Sequence, residues 1–243
     1  YIDQKCRKVL HLKYRLGLWK PQVIELKNLI ADLNPPTAIQ LNCDLYSSAV
    51  TVLRNTNDLL PLRNLDTLRI ASLVIGDNSQ NSFQDRLGFY APIDKYSLPY
   101  APSSAIQAEM LLKLQKYNLI LVGVLNTHPS PSRNFGIPNQ TIVFLDSLQA
   151  HKDVVLDVFG LPYALNSFHL GQRIKGLIVS YQDNPLVHDV SAQVIMGGMQ
   201  ATGRLPVTAT PEFKLHDGLS TVPPIRFTYA SPEAIAMQTA DLA

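Results

Sequence analysis

Arg69-Ile70-Ala71-Ser72-Leu73-Val74-Ile75-Gly76 decides the fold. Between Arg69 and Gly76 the run carries no charge and does not alternate polar with apolar. A strand with one wet face alternates, so a continuous run of this length reads as a strand covered on both faces. Three more runs repeat the pattern: Leu119-Ile120-Leu121-Val122-Gly123-Val124, then Val154-Val155-Leu156-Asp157-Val158-Phe159-Gly160, then Ile174-Lys175-Gly176-Leu177-Ile178-Val179-Ser180-Tyr181. Helical patterns over 103–117, 138–151 and 186–200 fall between or after them. Strand–helix–strand repetition predicts an α/β fold, a three-layer αβα sandwich with a mostly parallel, flavodoxin/Rossmann-like sheet. Leu205-Pro206-Val207-Thr208-Ala209 is expected to add an edge strand, because proline is tolerated in a sheet only at an edge or a bulge.

Linking helices are expected to precede the sandwich. Val9, Leu10, Leu12 and Leu16 lie among Arg7, Lys8, Lys13 and Arg15, with Gly17 placed to end that helix. Pro21 suits the opening of a second helix, with Val23, Ile24, Leu26, Leu29, Ile30 and Leu33 as its buried stripe. Pro35-Pro36 stops it. Thr37 is placed to cap a third helix reaching Leu53, with Leu41, Leu45, Ala49 and Val52 inward. The polar stretch Arg54-Asn55-Thr56-Asn57-Asp58 then separates helical lead-in from the strand–helix repeat.

The chain has 243 residues, 46% hydrophobic and 16% charged, with a net charge of +2. That composition excludes a disordered chain. The low charge content points to surface that meets other protein. A charge of +2 leaves no basic excess for phosphate backbones, so no nucleic acid partner is expected. No apolar run has the length of a membrane span. Cys6 and Cys43 are too few for a disulfide framework or a cysteine metal site. The opening Tyr1-Ile2-Asp3-Gln4-Lys5 lacks both Met and an apolar leader, and reads as the interior of a longer polypeptide.

The common catalytic signatures are missing. After the first buried strand stands Gly76-Asp77-Asn78-Ser79-Gln80-Asn81, with one glycine where a dinucleotide fingerprint needs three. No serine sits in Gly-x-Ser-x-Gly, and there is no Ser-x-x-Lys. The six histidines, His11, His128, His151, His169, His188 and His216, are scattered and read as surface or structural. No metal site and no cofactor are expected. The glutamates Glu25, Glu109, Glu212 and Glu233 lie on helix surfaces or after prolines, away from the carboxyl ends of strands where open α/β sheets build sites. The polar residues at those ends are Asp77 and Asn78, Asn126 to His128, and Gln182 to Asn184. Of these Asp77, Asn126, His128 and Asp183, with Arg133 in the loop after the second strand, are the candidates for touching a ligand. Ordinary loop capping accounts for the same residues.

Three stretches carry a family resemblance. Ser48-Ala49-Val50-Thr51-Val52-Leu53-Arg54-Asn55, followed by Leu59-Leu60-Pro61-Leu62, resembles the opening of the C-terminal α/β sandwich domain of family 3 glycoside hydrolases. Val158-Phe159-Gly160-Leu161-Pro162-Tyr163-Ala164-Leu165 is similar to that family's strand-then-turn, with Leu161 where asparagine is common. Gly197-Gly198-Met199-Gln200-Ala201-Thr202-Gly203-Arg204-Leu205-Pro206-Val207 resembles its Gly-Arg-Leu-Pro-Val segment and is the most specific of the three. Gly203 is expected to permit a sharp turn.

The resemblance covers 37–215. It implies that 1–36 is the trailing edge of, or linker from, a preceding TIM-barrel domain, and that 216–243 links onward. It also implies a retaining β-glycosidase in the full-length protein, with its nucleophilic Asp in that barrel and no catalytic residue in this chain. Glucosidase-like members supply a Glu from the loop after a strand like 119–124. Here that loop, Asn126-Thr127-His128-Pro129-Ser130-Pro131-Ser132-Arg133-Asn134-Phe135-Gly136, contains no acid. The departure points to the β-N-acetylhexosaminidase-like subgroup, whose acid/base is a barrel histidine, a role that does not pass to His128.

Arg226-Phe227-Thr228-Tyr229-Ala230-Ser231-Pro232-Glu233 resembles the spacer before a serine β-lactamase-like domain in bacterial fusions of this kind. The partners implied are that barrel, a carbohydrate substrate and the downstream β-lactamase-like domain, with a periplasmic, envelope or secreted location. Two rival readings stay open: a β-glucosidase-type member, and a self-standing small-ligand module with Asp77, Asn126 and Asp183 in its pocket.

Overall fold

A computed structural model describes residues 1–20, 26–77 and 81–224. Asn78, Glu25, Glu233, the Pro21–Ile24 start of the second expected helix and the 226–233 spacer lie outside them. The described residues form helices α1 (Ile2–Arg15), α2 (Leu29–Leu33), α3 (Pro36–Ala49), α4 (Ser82–Gly88), α5 (Ser104–Leu114), α6 (Asn139–His151) and α7 (Pro185–Met196). Their strands are β1 (Thr51–Asn55), β2 (Ile70–Ile75), β3 (Asp94–Leu98), β4 (Leu119–Val124), β5 (Asp153–Val158) and β6 (Ile174–Val179).

These strands make one sheet in the order β1-β6-β5-β4-β2-β3. All neighbours are parallel except β1, which runs antiparallel to β6. The five parallel strands therefore follow the flavodoxin-like doubly wound order, with its reversal between β2 and β4.

Successive side chains on a strand point to opposite faces, and here both faces are dry. Leu73, Ile75, Ile120, Val122, Val154 and Leu156 pack toward Met110 and Leu114 of α5 and Phe144 and Leu148 of α6. Val74, Leu119, Leu121, Val155 and Ile178 pack toward Phe83 and Leu87 of α4 and Val187, Val190 and Val194 of α7. This two-sided burial is why the four central strands read as unbroken apolar runs. The helices that cover them have clear starts. Asn81, Ser103 and Asn184 cap α4, α5 and α7 by accepting from backbone N–H groups two or three residues on. Gly197 closes α7 with φ at +82°.

Four expectations need correction. The helix expected to reach Leu53 ends at Ala49, and Val50 to Leu53 turn into β1 instead. The β-branched Val50, Thr51 and Val52 are fully buried there, an environment that favours extended backbone. Thr37 does not cap α3, because Pro35 holds that position and Pro36 opens the helix. Leu205–Ala209 forms no strand. Leu205 instead exchanges backbone bonds with Asp217 and His216, and Leu219, inside the segment read as linker, donates to Val52 O at 2.7 Å. Finally, the apolar stripes of the leading helices are not buried within this chain. Val9, Leu10, Leu12, Leu16, Leu26, Ile30, Leu33, Leu41 and Leu45 are all more than half exposed.

Gly203 is needed for closeness of packing. A Cβ there would stand 2.4 Å from Ala49 O and 2.5 Å from Val50 O, both backbone atoms at the α3–β1 turn. Gly203→Ala is therefore expected to lower the urea-unfolding stability of the chain by about 1–3 kcal/mol through overpacking. An unchanged urea midpoint would mean that the turn yields freely.

Candidate functional site

The parallel strands deliver their carboxyl ends to one edge, and doubly wound sheets receive ligands at that edge beside the strand-order reversal, which here falls between β2 and β4. Gly76-Asp77 leaves β2 and Leu125-Asn126 leaves β4. Asn126 adopts φ +55°, a left-handed conformation that asparagine tolerates. Its side-chain amide donates to Gly76 O at 2.9 Å, and its backbone N–H donates to the Asp183 carboxylate. Tyr100 OH donates to Leu125 O. Gly76 itself, at φ +95°, leaves no room for a side chain, since a Cβ would stand 2.5 Å from both Leu125 O and the Tyr100 ring. Tyr100 and Asn126 thus tie together the segments that follow β3, β4 and β2.

Asp183 is held from below by His188, whose Nε2 lies 2.7 Å from Asp183 Oδ1. His188 is buried on the first turn of α7, its ring edge-on to Phe159 at 4.7 Å. Partial burial pushes the Asp183 carboxyl up, but the hydrogen bonds from His188 and Asn126 and the His188 charge outweigh it and hold the group below the ordinary value. Deeper still, Asp157 of β5 is fully buried against the α7 layer. It accepts from Ser180 Oγ at 2.9 Å and from Ser191 Oγ. Desolvation pushes its carboxyl up to about 6, against the lowering pull of the two serines and of His188.

The loop after β4 is pinned along its length. Thr127 Oγ1 donates to Phe159 O at 3.0 Å, filling the space over Gly160, and Ser167 Oγ donates to Asn134 Oδ1 at 2.8 Å. His128 N–H donates to Phe135 O at 2.7 Å. His128 Nδ1 accepts from Ser130 N at 3.0 Å, and its Nε2 lies 3.3 Å from the Arg133 guanidinium.

Of the five residues chosen from sequence, the structure joins Asn126 to Asp183 directly and sets Asp77 next in chain to the carbonyl that Asn126 binds. His128 and Arg133 form a second pair farther along the loop. Tyr100, His188 and Asp157 were missed. A lone acid inside an apolar strand was a readable signal for Asp157. Tyr100 carried none, because its partner Leu125 lies on another crossover, whereas His188 stands only five residues after Asp183. Elsewhere, Glu109 pairs with Lys113 on α5, and Glu212 pairs with Arg54. Among the described residues no three His, Cys, Asp or Glu side chains come together as metal ligands. No helix of the described residues is long and apolar enough to cross a membrane.

No family model matches the chain. A curated β-xylosidase of Formosa agariphila is 34% identical over 247 residues, covering 86% of this chain. The chain spans 33% of that relative's length. Among solved structures, a family 3 β-N-acetylglucosaminidase from Paenibacillus sp. superposes with a TM-score of 0.62 at 15% identity, over 86% of this chain and 39% of that one. The chain carries the C-terminal α/β sandwich of family 3 glycoside hydrolases. A β-glucosidase from Listeria innocua has the same sandwich, with a TM-score of 0.60 at 16% identity over 81% of this chain and 30% of its own. The family 3 sandwich recurs in proteins about three times as long as the part matched.

The buried carboxyl gives the sandwich a pH signature. Asp157 has a higher pKa folded than unfolded, so its favourable contribution is full below about pH 4 and is lost as pH rises to about 6, on the order of 3 kcal/mol. Asp157→Asn is expected to remove that slope. The wild-type minus variant stability difference, from urea melts between pH 4 and 8, should fall across this window and flatten above it. A difference that stays flat throughout would show that Asp157 does not titrate there.

Proposed function

We propose that this chain is the non-catalytic sandwich domain of a retaining β-glycosidase, and that its carboxyl edge forms one wall of a sugar site completed by a preceding barrel domain. The observation that carries this reading is the state of the carboxylates at that edge. Asp183 is directed inward and occupied by two donors, Asp157 is fully buried, and the loop 126–136 contains no acid. Glycoside hydrolysis in most families needs two carboxyl groups flanking the bond. The reacting pair is then supplied by the neighbour, while Asn126, His128, Arg133 and Asp77 offer donors and acceptors to hydroxyls.

The exposed apolar residues of α1, α2 and α3 support the same reading, because a row this long in water is surface meant to be covered. The low charge content fits a domain with one face against another. The chain's share of its relatives' length fits it too. For the sugar, the acid-free loop favours an N-acetyl-β-hexosaminide. A β-xyloside is the second reading, favoured by the identity to the Formosa agariphila β-xylosidase.

The test is an assay of the intact protein and of the 243-residue chain on the aryl N-acetyl-β-glucosaminide, β-xyloside and β-glucoside. The intact protein is expected to turn over the first most rapidly and the chain alone none of them. Turnover by the chain, abolished by Asp77→Asn or Asp183→Asn, would overturn the non-catalytic assignment. Arg133→Ala in the intact protein is expected to raise KM by about tenfold with little change in kcat, as for a contact equal in ground and transition states.

A further inference from the structure

The edge opposite the candidate site, at the amino ends of the parallel strands, carries a row of clefts. The largest has a volume of about 880 Å³ and lies over Ile70 and Ile93, with Tyr90 and Tyr117 in its walls. It shares Ala91, Pro92 and Ile93 with a cleft of about 510 Å³ beside Phe89. On its other side it shares Leu68 with one of about 250 Å³. That cleft in turn shares Thr56 and Lys175 with a fourth of about 380 Å³. Shared lining residues set these clefts side by side, as a segmented groove along the amino ends of β3, β2, β4, β5 and β6. Four strand spacings of about 4.8 Å give it a length of about 19 Å.

The groove's chemistry limits its occupant. Its charges are of both signs and close to one another. Lys116 lies 3.3 Å from Asp94, which also accepts from Tyr117 OH, and Lys95 lies 2.6 Å from Asp85. Such a wall has no net field to attract a polyanion or polycation. It keeps carboxylate lone pairs and ammonium protons available to hydroxyl groups, which donate and accept at once. Between the pairs lie apolar surfaces. Phe89 is 78% exposed, with the Arg86 guanidinium 5.3 Å from its ring, and Pro92 and Ile93 continue the floor.

We propose that this groove binds an extended, neutral oligosaccharide, at a site separate from the carboxyl edge. The choice of sugar rests on the glycosidase reading above; the groove and its mixed wall do not.

The test is amide NMR of the 243-residue chain titrated separately with chitohexaose, xylohexaose and cellohexaose up to about 10 mM, a range that detects millimolar affinity. At least one of them is expected to shift Phe89 to Asp94 and Lys116 to Tyr117 while 126–136 stays silent. Phe89→Ala, at an exposed position that leaves the core intact, is expected to weaken that binding about tenfold, a modest share of what covering a phenylalanine ring contributes. Absence of shifts with all three sugars would overturn the proposal, as would shifts confined to 126–136. Affinity unchanged in both Phe89→Ala and Lys116→Ala would do so too. If the intact protein cleaves no aryl glycoside but the groove shifts persist, the glycosidase reading fails and the groove stands. An active intact protein with a silent groove gives the reverse.

Discussion

Covering the sheet on both faces constrains every other choice in the molecule. A side chain on β4 or β5 meets α5 and α6 on one side or α4 and α7 on the other, so a polar atom there must bring its own partners. Asp157 does so with Ser180 and Ser191, and the cost of its burial is written in its raised carboxyl pKa. Everything else that can meet a ligand is displaced to the ends of the strands. The molecule therefore presents its loop side chains at two edges of the sheet, with dry layers between them.

The carboxyl edge is organised by one chain of contacts. His188 on α7 holds Asp183, Asp183 holds the backbone of Asn126, and Asn126 holds Gly76 O. Three segments that are distant in sequence, at Gly76, Asn126 and 183–188, are thereby locked at the reversal of the sheet. The loop that follows is preorganised through Thr127 and Asn134. Loops pinned in this way suit the proposed role as one wall of a sugar site, since small displacements beside reacting groups are costly.

The central strands were legible because two-sided burial leaves few polar residues, Ser72 and Asp157 among them, to interrupt the pattern. The outer strands were not. β3, Asp94-Lys95-Tyr96-Ser97-Leu98, is an edge strand with charged, exposed residues and no apolar run. β1 follows a helix with barely a turn between, and its first residues continue the helix's own spacing. At the site, Asn126 and Asp183 could be chosen because they follow strands, and position after a strand is a sequence property. Tyr100 matters only because a crossover brings it to Leu125, and nothing local encodes that, whereas His188 and Asp183 lie five residues apart at the start of α7. The stripes on α1 and α2 were read correctly as apolar, yet a stripe does not say which surface covers it.

The two margins of the sheet also bear on how safely such a domain is made. An open row of backbone N–H and C=O groups recruits strands from other molecules, and newly synthesised chains at high concentration are the most exposed to this hazard. On one margin the Leu219–Val52 bridge lays a stretch of the chain's own backbone across β1. On the other, Asp94 and Lys95 set opposite charges on β3, so that an incoming strand would have to desolvate them. One border is bridged at Val52 by the chain's own backbone and the other is kept hydrated, so both guards lie within this chain.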